Sequence, residues 1–165
     1  MHALVVFESL WGNTAAIARA IADGLGPGTI ELRNADDAPL VMPSDLDLLV
    51  VGGPTHAFSM STEATRESAR QQGPVHLPER GIREWIAGLA VPARPLPVAT
   101  FDTRTVSPRL PGSAAKKALK RLVALGFRPV ARAETFGVHG YEGPLAEGEL
   151  ERAVEWGRRL AGSLA

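Results

Sequence analysis

The stretch Ala3 to Leu25 reads ALVVFESLWGNTAAIARAIADGL, and its two halves follow different periods. Ala3 to Phe7 is apolar, rich in β-branched residues and too short for a buried helix, which predicts a strand. Glu8 to Gly12 ends it. From Asn13 and Thr14, both able to cap a helix, Ile17, Ala18, Ile21, Ala22 and Leu25 recur at helical spacing, and Gly24, Gly26 and Pro27 are read as the stop. A strand that passes through a tight turn into a helix opens a βαβ unit, whose next strand lies parallel to the first.

The alternation continues along the chain. Further strands are predicted at Thr29 to Arg33, Leu46 to Val51, Leu96 to Phe101 and Val130 to Val138. Helices are predicted weakly at Thr62 to Gln72, around Ile82, Trp85, Ile86 and Leu89, from Ser113 to Leu125, and from Glu147 to Leu164, with Gly73 to Gly81 as a linker. Crossover connections of this kind give an α/β fold: a three-layer, doubly wound, five-stranded parallel sheet with helices on both faces. Strands one, three and four are apolar throughout, as strands buried on both faces must be, whereas two and five carry Glu31, Arg33, Arg132 and Glu134 and belong at edges. That arrangement is the order 2-1-3-4-5, whose ligand crevice opens between the carboxyl ends of strands one and three.

At 165 residues the chain is expected to form a single domain, residues 1–165. Eighteen basic and eighteen acidic residues cancel, which argues against a global field for nucleic acid. With no cysteine, disulfides, thiolate metal sites and dithiol chemistry are excluded, so redox work would need an organic cofactor. His2, His56, His76 and His139 lack metal-ligand spacing. Met1 to Phe7 carries no basic leader and no apolar run reaches membrane length, so the expectation is a cytoplasmic protein without a membrane partner.

Three loops should meet at the crevice. Ser9, Leu10, Trp11, Gly12, Asn13 and Thr14 form a turn at a helix start, where unpaired N–H groups and the helix dipole favour an anion; the hydroxyls of Ser9 and Thr14 and the Asn13 amide add donors. The loop holds no lysine or arginine and lacks both the triphosphate and the pyrophosphate glycine patterns, so a terminal monophosphate fits it best, against the alternative of a capped turn that binds nothing. Pro54, Thr55, His56, Ala57 and Phe58 follow strand three. Phe101, Asp102, Thr103 and Arg104 follow strand four, with Phe101 itself expected to close that strand in the core. His56 and Phe58 are suited to a planar ring, Asp102 and Arg104 to its polar edge. Trp85 and Trp156 sit on amphipathic helices and are expected in the core; Ser59, Ser61 and Thr62 lack the paired histidine of a hydrolase.

These residues resemble the flavodoxin family, in its short-chain form, over essentially the whole chain. The family's phosphate loop reads Ser/Thr, any residue, Thr, Gly, any residue, Thr; Ser9, Gly12 and Thr14 match it, and Trp11 stands in the middle threonine's place. The resemblance implies non-covalent FMN, with its phosphate on residues 9–14 and its isoalloxazine between the loops at 54–58 and 101–104. It also implies redox partner proteins, a reductase and an acceptor, and no catalytic side chain. The third loop lacks the family's tyrosine, the sole one being Tyr141, which leaves Phe58 or Trp11 to stack. Two other activities share the scaffold: an FMN-dependent NAD(P)H or quinone oxidoreductase, and a flavin-free binding module.

Charge is uneven. From Thr103 to Ala133 lie Arg104, Arg109, Lys116, Lys117, Lys120, Arg121, Arg128 and Arg132 with no acidic residue, followed by Glu134, Glu142, Glu147, Glu149, Glu151 and Glu155. The plain reading is a solvated face whose charge the downstream acids neutralise within the fold; the sharper one is a face for an acidic partner or an anionic substrate.

Overall fold

The computed structural model describes residues 1–165. The strands are β1 (His2–Phe7), β2 (Thr29–Asn34), β3 (Leu48–His56), β4 (Ser59–Met60), β5 (Pro97–Thr105), β6 (Arg128–Pro129) and β7 (Glu134–Val138). The helices are α1 (Asn13–Leu25), α2 (Glu63–Arg70), α3 (Ile82–Gly88), α4 (Ala114–Ala124) and α5 (Glu149–Ser163). The sheet runs β2-β1-β3-β5-β6, with β7 also paired to β5 and β4 paired to β3. With β6 and β7 taken as one interrupted strand and the short β4 set aside, this is the expected doubly wound 2-1-3-4-5 sheet.

Alternation along the inner strands divides the core. Ala3, Val5 and Phe7 join Leu48, Val50, Ala99 and Phe101 beneath α1 and α5, while Leu4 and Val6 join Leu49, Val51 and Val98 beneath α3 and α4. The two expected core tryptophans fall on opposite sides, Trp156 in the first layer and Trp85 in the second. Phe101, Phe136 and Trp156 make three edge-to-face contacts at 6.2–6.4 Å between ring centres. The ring of Phe101 lies where a side chain at position 52 would be, 2.1 Å from a Cβ placed there, so only glycine fits β3 at that point.

Among the boundaries that differ from the sequence reading, three shape the fold. The fifth strand is broken rather than continuous from Val130 to Val138: Val98 pairs with Pro129 and Phe101 with Glu134, so three steps on β5 face five on the edge chain. Arg128 and Val130 donate to the Leu96 and Val98 carbonyls, so Pro129 stands where an N–H would face solvent, and the outer strand of a sheet tolerates the excursion that follows. β3 does not stop at Gly52 but runs to His56 and turns back antiparallel through Ala57 and Phe58. Both turn residues have positive φ, 46° and 73°, the geometry of a tight hairpin turn that glycine or asparagine usually supplies. Finally, Gly24 does not end α1. It lies within the helix against α5, where a Cβ would sit 2.0 Å from the Val154 carbonyl oxygen. Gly157 meets the Ile21 carbonyl in the same way, at 2.3 Å.

Candidate binding cleft

The carboxyl ends of β1, β3, β5 and β7 open onto one cleft. Ser9, Leu10, Trp11, Asn13, Thr14, Pro54, Thr55, His56, Thr103 and Arg104 line it, joined by Thr105, Val138, Gly140 and Tyr141. Gly12, Ala57, Phe58, Phe101 and Asp102, which the sequence suggested beside them, lie outside its lining.

The turn after β1 is held from within. Ser9 Oγ accepts from the N–H groups of Gly12 and Ala15, both at 3.2 Å, and Gly12 takes the left-handed conformation, φ 94°, that starts α1. The cap is therefore Gly12 with Ser9 reaching across, in place of the Asn13 or Thr14 side chains. The N–H groups of Leu10, Trp11, Asn13 and Thr14 have no acceptor within the chain. Four free donors at a helix start are a site for an anion, and Ser9 keeps its own proton to donate. The other two side-chain donors are partly engaged. Thr14 Oγ1 is 2.7 Å from Thr103 Oγ1, and Asn13 Nδ2 donates to the Glu142 carbonyl at 3.0 Å. That last bond brings the loop after β7 to the cleft, with Tyr141 at its tip and its ring 6.2 Å from that of Trp11. The buried Trp11 Nε1 has no partner in the chain.

Asp102 and Arg104 are strand residues, since β5 continues to Thr105, and they do not pair with each other. Asp102 is fully buried. Its Oδ2 accepts from Ser113 Oγ at 2.5 Å, Ala115 N at 3.0 Å and Thr55 Oγ1 at 3.1 Å, while Thr55 Oγ1 in turn accepts from Ala114 N. The carboxyl group thus sits at the start of α4, where the dipole favours negative charge, and ties that helix to β3 and β5. Its Oδ1 is buried without a partner. Arg104 Nη1 donates to the Gly112 carbonyl at 2.5 Å, spanning the loop between β5 and α4. Phe58, half exposed at the hairpin tip, rests on Gly112, where a Cβ would fall 2.6 Å from its own Cβ.

Beside the cleft, β1 is followed by Glu8, a buried carboxyl that accepts from Ile82 N at 3.0 Å and from the Ser61 hydroxyl in a short bond. Arg66 donates to Ser61 Oγ at 2.7 Å and to Glu84 at 2.6 and 3.3 Å. Burial pushes the Glu8 carboxyl above the usual carboxylate range. Ser61 is a relay in this network and Thr62 caps α2, so the hydroxyl cluster after β4 has structural roles.

His56 is half-buried on the cleft wall, with Nδ1 3.3 Å from Thr65 Oγ1. Burial, reinforced by the charge of Arg66, pushes it down to about 4. From pH 6.5 to about 4 the unfolded chain takes up a proton that the folded one refuses, so stability falls as the pH falls through that window, by about 3 kcal/mol at most. Replacing His56 with Gln is expected to flatten this acid limb in urea-unfolding curves measured from pH 7 to pH 4; an unchanged slope would mean a freely solvated imidazole.

The acids downstream of the basic tract form no ion pair with it. Glu134 and Glu149 pair with Arg152, and Glu155 pairs with Arg158. None of the eight cations from Arg104 to Arg132 lies within ion-pair distance of a carboxylate, the full set of pairs being accounted for elsewhere.

A doubly wound α/β domain with strand order 2-1-3-4-5 and its crevice at the switch point is a flavodoxin-type architecture. Solved structures agree. An archaeal flavodoxin superposes with a TM-score of 0.67 at 18% identity, covering 99% of both chains. Flavodoxin 1 from Bacillus cereus gives 0.70 at 16% identity over 98% of each chain. A short-chain flavodoxin associated with a bacterial microcompartment gives 0.64 at 12% identity over the full length of both. No sequence-family model and no curated protein matches the chain. The fold is that of the flavodoxins. No helix is long and apolar enough to cross a membrane.

The sequence reading did not include the fourth wall, Val138, Gly140 and Tyr141. The signal was the topology itself: the loop after the last strand must open at the same carboxyl edge as the other three.

Proposed function

We propose that this chain binds FMN non-covalently and carries electrons between a reductase and an acceptor. The observation that carries the reading is the set of unpaired amides at Leu10, Trp11, Asn13 and Thr14 around the Ser9 hydroxyl. These groups receive the phosphate, and Arg104 is the one cationic side chain on the cleft wall. Trp11 replaces a hydroxyl donor, so backbone donors take a larger share of the anion than in the family pattern. FMN, when bound, supplies the one- and two-electron chemistry; the protein contributes no acid, base or nucleophile to it.

The enclosed space is about 80 Å³, well below the roughly 300 Å³ of the smallest ordinary ligand pockets. It suits a phosphoester, and a planar ring attached to one rests against the rim. Trp11 and Tyr141, whose rings lie 6.2 Å apart between centres and tilted by 38°, are the stacking pair in this reading, a part the sequence had left to Trp11 or Phe58.

Titration of the purified protein with FMN, followed by flavin fluorescence, tests the proposal. Quenching is expected, with riboflavin bound about 100-fold more weakly because it forgoes charge-assisted bonds worth roughly 1.5–3 kcal/mol each, and with inorganic phosphate competing. Equal affinity for FMN and riboflavin, or a sample that stays colourless, would refute it and favour a flavin-free binding module.

A further inference from the structure

We infer that the exposed face of α4, with the loop of residues 106–112 that leads into it, docks an acidic protein partner. The inference rests on the electron-carrier reading for what that partner does, but its physical basis is separate.

Lys116, Lys117, Lys120 and Arg121 are all exposed on α4, whose other side packs on β3 and β5. Their spacing works against the helix. Lys116 with Lys120 and Lys117 with Arg121 are like-charge pairs one turn apart, and Lys116 and Lys117 stand near the positive end of the dipole. An isolated helix gains nothing from that pattern, and although Asp102 sits at the helix start, no carboxylate lies within ion-pair distance of these four side chains. Arg109 extends the same sign into the loop before α4. That loop also exposes apolar surface, with Val106 and Leu110 each about two-fifths accessible and Phe58 half accessible against Gly112. A cationic rim around exposed apolar side chains beside a binding cleft matches the anatomy of a small, transient protein interface. The chain's net charge is zero, so attraction depends on local faces such as this one and not on the charge of the whole chain. A polyanion reader would gain little from the apolar groups.

Binding, without electron transfer, tests this in a way that does not depend on FMN. Cytochrome c, a basic protein, and its succinylated acidic form serve as probes of opposite charge, immobilised for surface plasmon resonance. The succinylated form is expected to bind, and to lose about tenfold in affinity between low and physiological salt; native cytochrome c is expected not to bind. Reversing Lys116, Lys120 and Arg121 to Glu should remove about tenfold, whereas reversing Arg19, Arg158 and Arg159 on α1 and α5, across the sheet, changes net charge equally and should alter affinity less than about twofold. Equal losses in the two triple variants would reduce the effect to net charge and overturn the proposal. Tighter binding to duplex DNA than to the acidic protein would overturn it in favour of a nucleic-acid face. A failed FMN titration with a positive result here would sink only the cofactor.

Discussion

Substituting methionine for Arg66 is expected to destabilise the fold by roughly 3 kcal/mol, seen as a lowered urea midpoint with an unchanged slope. The guanidinium is almost wholly enclosed and donates to Ser61 and to both oxygens of Glu84. Without it Ser61 loses a donor, and Glu8, which Ser61 serves, loses its nearest positive charge. The estimate stands at the low end for a broken buried pair because Glu84 is 36% exposed and can turn to water. A position 81 with any side chain is closed to rescue, since a Cβ there would meet Glu8, Arg66 and Ser61 within 2.9 Å. The partner test is a cycle with Glu8→Gln. If the network acts as a unit, the double variant will be less destabilised than the two single effects added; simple addition would show that Arg66 holds only Glu84.

An alanine at position 24 is expected to be worse still, with a loss of about 3 kcal/mol or more and a melting temperature lower by about 10 °C. The added methyl group meets main chain, with Val154 O at 2.0 Å and Arg158 N at 3.1 Å, and neither can rotate away. The two helices must separate, which reopens the layer holding Ile17, Ile21, Trp156 and Leu160. Gly162→Ala is the control. Nothing lies within 4 Å of that position and its conformation is helical, so alanine should stabilise by up to about 1 kcal/mol. Equal behaviour of the two variants in thermal unfolding would rule out close helix contact.

Gly24 also marks the limit of what the sequence could tell. Locally it is a helix breaker beside Gly26 and Pro27; only the docking of α5, far along the chain, makes it a contact. By contrast the sheet order was legible, because Glu31 and Arg33 on β2 and Glu134 on β7 mark strands with a face to solvent, while the long apolar runs of β1, β3 and β5 mark strands covered on both faces; Arg132 falls in the gap between β6 and β7. In the cleft, a turn between the first strand and its helix must face the switch-point crevice, which is why Ser9, Leu10, Trp11, Asn13 and Thr14 fall on its lining. Asp102 was not. A carboxylate at a strand end looks the same in sequence whether it reaches a ligand or receives Ser113, Ala115 and Thr55, and the choice was made by where α4 begins. Tyr141 was hidden for a related reason: the bond from Asn13 to Glu142 that brings its loop to the cleft leaves no local trace.

The position of Asp102 bears on the docking inferred for α4 and residues 106–112. One carboxyl group clamps the far end of the 106–112 segment, and Arg104 to Gly112 fastens it again across the span. A tether secured twice has little wandering to give up on contact, so encounters there are governed by diffusion and long-range attraction, with no folding step to wait for.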